Sequence, residues 1–396
     1  MSTFATDAAL LADLVALRRA LHATPEVGLH LPATQAAILA AIGGLGLEVS
    51  TGASLTSVTA VLHGGRPGPV VLLRADMDAL PIAEATGLPF AAGDRAMHAC
   101  GHDLHMAGLV GAARLLAAGR DDLPGSVIFM FQPGEEGFAG GRLMIEEGVL
   151  DAAGERPVAA YAVHVDCVTE GGLAVTREGP IMASASALRI RVTGTGGHAA
   201  HPHLAVDPVP VAAEIVLALQ SFVARRVPAQ SPAVVSVTRM SSDAVAGNVL
   251  ASSVELEVNV RTLSRETLGL VRAELPALVG ALGAAHRCEV ATEFVDSYPV
   301  TVNDPTETGR VLALLDARYG ELVVRMPAPS MASEDFAYVL EQVPGTLVFL
   351  GVRPREVDAA TAAPMHSERA VFDDGRLDEQ AALLAELAWR RLTAGR

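Results

Sequence analysis

The stretch from residue 185 to 295 constrains the fold more than any other part of the chain. Ala187 to Val192 alternates apolar and polar residues like a half-buried strand, and Val206 to Val227 has the spacing of a helix. Ala233 to Met240 and Val254 to Thr262 read as strands, Glu266 to Leu282 as a helix, and Cys288 to Val295 as a last strand. The order β-α-β-β-α-β predicts a four-stranded antiparallel sheet backed by two helices, a unit that folds on its own. Around it the rhythm differs. Helical spacing covers 8–22 and 34–45, and a further helix is expected from Met106 to Ala118. Short apolar strands are expected at Val70 to Arg74, Val127 to Phe131 and Ala159 to His164. Beyond 295 come helices near 306–319 and 334–343, the strand Leu347 to Val352 and a helix from Leu377. Strands alternating with helices predict a mostly parallel sheet with helices on both faces. The fold class is therefore α/β with two domains, one built from 1–181 and 296–396, the other inserted at 182–295. A length of 396 residues agrees, because one core rarely grows so large.

A formal charge of −16 argues against nucleic acid or an anionic membrane surface as a partner. The first twenty residues carry Asp7, Asp13, Arg18 and Arg19, not a basic start and an apolar block, so no secretory signal is expected. Three scattered cysteines, Cys100, Cys167 and Cys288, do not make a disulfide framework. A reducing cytoplasm is the expected compartment.

Unusual residues gather where the predicted strands end, the usual place for function in such sheets. Asp76 and Asp78 follow the first strand, Gln132-Pro133-Gly134-Glu135-Glu136 the second, and His164 closes the third. In Met97-His98-Ala99-Cys100-Gly101-His102, a thiolate and an imidazole two residues apart can converge on one zinc-like cation. A pair of this kind also arises by chance in a buried loop. Two adjacent carboxylates after a buried strand can divide labour, one on metal and one on protons, although Glu-Glu pairs on solvated loops are common. His164, within an apolar run, is by itself more often a core residue than a ligand. Pro364-Met365-His366 adds one more imidazole. Together these pieces supply what two divalent ions and a general base require.

Five stretches resemble the M20 family of metallopeptidases, and its amidohydrolase branch most: Leu73 to Ile82 (LRADMDALPI), Met97 to His105 (MHACGHDLH), Phe131 to Glu136 (FQPGEE), Gly197 to His203 (GHAAHPH) and Ser333 to Ala337 (SEDFA). That branch contains hippurate hydrolases, aminoacylases and auxin-conjugate hydrolases, and the similarity runs from His22 to His366 in family order. The resemblance implies a catalytic domain with an inserted satellite domain. It implies two divalent ions per chain (Zn, Mn, Co or Ni), held by Cys100, His102, Glu136, His164 and His366. Glu135 would be the general base for the attacking water, and Asp78 would orient a ligand without touching an ion. In the satellite domain His198 would hydrogen-bond the developing oxyanion across a homodimer or a tetramer, while Asn248 and Arg261 would grip an N-acyl amino acid. His22, His63, His201, His203 and His286 read as structural or loop residues.

Some positions depart from the family pattern. Asn248-Val249-Leu250-Ala251 stands where Asn-Val-Ile-Pro is usual, and Val258-Asn259-Val260 replaces the Gly-Thr before the strand arginine. Val165-Asp166 replaces a Trp-Pro pair, and Gly134 replaces an alanine. None touches an implied ligand or base. The resemblance thus implies metal-dependent hydrolysis of N-acyl amino acids. A dipeptidase, a deacylase of a biosynthetic acyl-amino acid and a non-catalytic scaffold are the competing readings.

Overall fold

The computed structural model describes residues 4–394 and divides into two compact units. The first comprises residues up to 181, 302–328 and 335 onward; the second comprises 182–301 with 329–334.

An eight-stranded sheet forms the first unit, in the order Glu48–Thr51, Val58–His63, Pro124–Gln132, Arg66–Asp76, Ala159–Glu170, Gly345–Arg353, Ala174–Thr176, Val323–Arg325. Arg66–Asp76 runs parallel to both Pro124–Gln132 and Ala159–Glu170, which in turn is parallel to Gly345–Arg353. The region is mixed at its edges, where Val58–His63 is antiparallel to its neighbours. From Val70 to Asp76 every residue is buried, as a central strand covered on both faces must be. Central strands covered on both faces therefore read as continuous apolar runs.

Helices cover the sheet. His102–Ala118 is buried through nearly its whole length and packs beside the C-terminal helix Leu377–Thr393. A Cβ on Gly111 would lie 2.5 Å from that of Ala381, so glycine lets the two backbones approach. The helix begins four residues earlier than its apolar period predicted, at His102 itself. Its N-cap is Gly101, left-handed at φ 82°. A Cβ there would also sit 2.4 Å from Val165. This one glycine turns the chain so that Cys100 and His102 flank the bend. Near the C-terminal end, the helix expected over 334–343 is only Ala337–Leu340.

In the second unit four antiparallel strands lie in the order Ala233–Ser242, Ser253–Thr262, Ala185–Thr193, Glu289–Tyr298. Pro208–Arg226 and Arg265–Ala285 lay Val211, Ile215, Leu219, Val271, Leu275 and Val279 on one face. Both helices are long and apolar enough to cross a membrane by composition alone, yet these residues place them in a sheet-and-helix core. Along Ser253–Thr262, Val254, Leu256, Val258 and Val260 point into that core. Alternation therefore puts Glu255, Glu257, Asn259 and Arg261 on the opposite face.

Candidate metal centre

Parallel register brings the ends of the central strands level: Asp76 pairs with Gln132, and Ala162, two residues before His164, pairs with Arg74. Side chains from these ends and from the Gly101 bend meet at one place. Several sets of ligand atoms lie within 4.8 Å of one another, among them Cys100, His102 and His164; Cys100, Glu136 and His366; His102, Glu135 and Glu136. Cys100 belongs to two of them.

The imidazoles are oriented from behind. His102 Nδ1–H donates to the Asp78 carbonyl at 2.8 Å, and His164 Nδ1–H to the Val165 carbonyl at 2.7 Å. With Nδ1 so engaged, Nε2 of each ring is the nitrogen left to face a metal. His164 Nε2 is 3.6 Å from Cys100 Sγ, and His366 Nε2 is 3.2 Å from it and 3.3 Å from Glu136 Oε1. His366 adopts φ 66°, unusual for a residue with a side chain, and its backbone N–H is tied to the Ala99 carbonyl at 2.9 Å.

Asp78 holds the carboxylate turn. Its Oδ1 accepts the Glu135 N–H at 2.9 Å and its Oδ2 the Glu136 N–H at 3.0 Å. Both neighbouring carboxylates are thereby locked at the backbone, with Glu135 itself buried. Sequence reading assigned no role to a second layer beneath. Arg74 donates to Asp76, Gln132 and Asp335 at 2.7, 2.9 and 2.8 Å, and Asp335 also accepts from Gln132 and the Gly141 N–H. His105 donates from Nδ1 to Asp76 and accepts the Val165 N–H at Nε2, so both nitrogens are spent and it is no ligand. The signal was present in the LRADMD and SEDFA strings, but only the fold shows which charges meet.

Charge follows this geometry. Burial works against the charged His102, but Asp76, Asp78 and Cys100 hold its pKa well above the ordinary value. Burial, reinforced by His105, drives His164 well below it. Burial also pushes the Cys100 thiol up. Cys100 and then Glu136 raise His366 to about 10. Among the described residues His102 Nε2 is buried with no hydrogen-bond partner, a cost of about 1–3 kcal/mol that a cation would remove. Thiolate, imidazole and carboxylate donors fit two divalent ions.

The remaining sequence-selected residues lie in the second unit. His198 is exposed on the short strand Gly197–His198, which pairs with Val249–Leu250. The Ala199 N–H donates to the Asn248 carbonyl at 3.0 Å, so His198 and Asn248 stand on adjoining segments. Arg261 lies on the sheet, half-buried. Elsewhere His22 is buried and bonded through Nδ1 to Asp103 and through Nε2 to Glu84, while His63 and His286 pair with Glu48 and Glu214 on the surface.

Residues 72–390 match the pattern of Peptidase family M20/M25/M40. The chain belongs to the M20 family. It is 37% identical over 340 residues to an N-acetyl-L-cysteine deacetylase of Bacillus subtilis, covering 86% of this chain and 80% of that one. It is 33% identical over 366 residues to thermostable carboxypeptidase 1 of Saccharolobus solfataricus, covering 91% of each. A crystal structure of a dinuclear metal-binding M20 peptidase from Bacillus subtilis superposes with a TM-score of 0.84 at 32% identity, over 98% of this chain and 99% of that one. This M20 protein is thus a metal-dependent hydrolase acting on amide bonds, with two divalent ions as cofactors.

Proposed function

We propose that this chain cleaves N-acyl amino acids to a carboxylate and a free amino acid, with Glu135 as general base and Cys100, His102, Glu136, His164 and His366 as metal ligands. The observation that carries this reading is the buried Glu135, held by Asp78 beside the donor cluster. When bound, the ions lower the pKa of water and polarise the amide carbonyl. Glu135 takes a proton from the water that adds to the carbonyl carbon. It then returns that proton to the nitrogen as the C–N bond breaks, so the amine leaves neutral. Cys100, common to two donor groups, would lie within reach of both ions.

The leaving group is read from the relatives. An N-acetylcysteine and the C-terminal residue removed by a carboxypeptidase both carry a free α-carboxylate next to the scissile amide. Arg261 supplies the charge for it, Asn248 a polar grip, and His198 a donor for the oxyanion, contributed across a homodimer or tetramer through the second domain. The carboxypeptidase relative favours peptides as the second substrate class. Three free, buried cysteines suit a cytoplasmic setting.

The test is amine release from acetyl, benzoyl and long-chain N-acyl amino acids, with dipeptides alongside, using chelator-stripped protein reloaded with Zn, Mn, Co or Ni. Glu135→Gln is expected to keep both ions and lose about 10²–10⁴ in kcat. A near-full rate would remove Glu135 as the base. Sedimentation tests the assembly: a fully active monomer would exclude the cross-subunit His198.

A further inference from the structure

Arg261 is a half-buried cation whose side-chain partners are both neutral. Its Nε–H donates to Asn259 Oδ1 at 3.1 Å and its Nη1 to Ser333 Oγ at 2.7 Å. Among the described residues it forms no ion pair, although most arginines of this acidic chain do. A guanidinium with neutral acceptors on one side keeps its charge for something else.

The two acceptors arrive from different directions. Asn259 stands two residues before Arg261 on the same face of the same strand. It is one of the positions where this chain departs from the usual Gly-Thr. Ser333 comes from 329–334, which joins the second unit away from its neighbours in sequence. There the Ala183 N–H donates to the carbonyls of Ser330 and Ala332 at 3.0 and 2.9 Å. Thr301 Oγ1 donates to the Glu334 carbonyl at 3.3 Å. Ser333 is thus held by backbone anchors, not by Arg261 alone.

The consequence follows from the shape of the fork. A carboxylate can meet arginine side-on, through Nε and Nη2, or end-on, through Nη1 and Nη2. With Nε taken by Asn259, the side-on pair is closed. The three N–H bonds left over all lie at the Nη end. We propose that Asn259 and Ser333 are positioning residues that lock Arg261 for end-on capture of the substrate α-carboxylate. They thereby set the preference for amides of free amino acids over the same amides with that carboxylate capped. This rests on the reading of Arg261 given under the proposed function.

The experiment compares kcat/KM of the metal-loaded, full-length enzyme for an N-acetyl amino acid and for its C-terminal primary amide. Wild-type enzyme is expected to favour the free acid. Ser333→Ala and Asn259→Ala are each expected to lower that preference about tenfold, through KM for the acid, since one hydrogen bond to a charged group is lost. Ser333→Thr, which keeps the hydroxyl, is expected to restore most of it. If Ser333→Ala fails to fold, Asn259→Ala and the threonine variant carry the comparison. A preference unmoved by both alanine variants but abolished by Arg261→Lys would overturn the positioning role and leave Arg261 as the carboxylate site. Wild-type hydrolysis with no preference for the acid would overturn the role of Arg261, and this inference with it. No hydrolysis of either compound would count against the amidohydrolase reading itself.

Discussion

Replacing Asp78 by asparagine tests how the carboxylate turn is held. Asp78 accepts two backbone N–H groups, one on each oxygen, from Glu135 and Glu136. Asparagine keeps the shape but turns one acceptor into an NH2 donor, so one of these N–H groups faces another donor. A hydrogen bond to a charged group contributes about 1.5–3 kcal/mol. If that loss appears as misplacement of Glu135 and Glu136, it corresponds to roughly 10- to 150-fold in rate or metal affinity. The assay pairs kcat on the best substrate with metal binding by competition against a chromogenic chelator. A thermal melt of the metal-free protein then separates global destabilisation from local displacement. Asp78→Ala, which orphans both N–H groups, should be worse than asparagine on every readout. Wild-type kcat and metal affinity in Asp78→Asn would refute the claim that this carboxylate positions the turn.

Three other perturbations probe the same centre. Gly101→Ala forces a left-handed alanine and drives its Cβ into Val165 and Phe372, so a loss of about 2–4 kcal/mol is expected, read as a lower melting temperature with reduced metal occupancy. Cys100→Ala removes the donor common to two ligand groups, and elemental analysis should find occupancy reduced at both positions. Metal loading should release protons at neutral pH. In the metal-free state His102 is raised well above its ordinary value, His366 is raised to about 10 and the Cys100 thiol is pushed up, so all three carry protons that cations must displace. Apparent affinity should therefore tighten as pH rises from 6 to 8, by about tenfold per unit for each proton displaced. Calorimetry in two buffers of different ionisation enthalpy counts those protons, and a pH-independent affinity would contradict the assigned ligands.

Much of this protein was legible in one dimension. The β-α-β-β-α-β order of the second unit follows from apolar periodicity, because strands and helices there have one buried face each and the alternation records it. The Cys-x-His and Glu-Glu pieces could be recognised because their donors are neighbours in the chain. Strands such as Val58–His63 and Ala174–Thr176, each one in from an edge of the sheet, could not, being short or surrounded by other buried residues. Nor could the early start of the helix at His102, which depends on a left-handed glycine and not on a hydrophobic period. Only the tertiary structure decided which polar groups meet. Arg74 and Asp335 are 261 residues apart and meet at 2.8 Å; Arg261 and Ser333 are 72 apart and meet at 2.7 Å. Local sequence encodes periodicity and ligand type, since both depend on near neighbours. Partner choice among buried charges depends on strand register and crossover connections, and these exist only once the chain has folded.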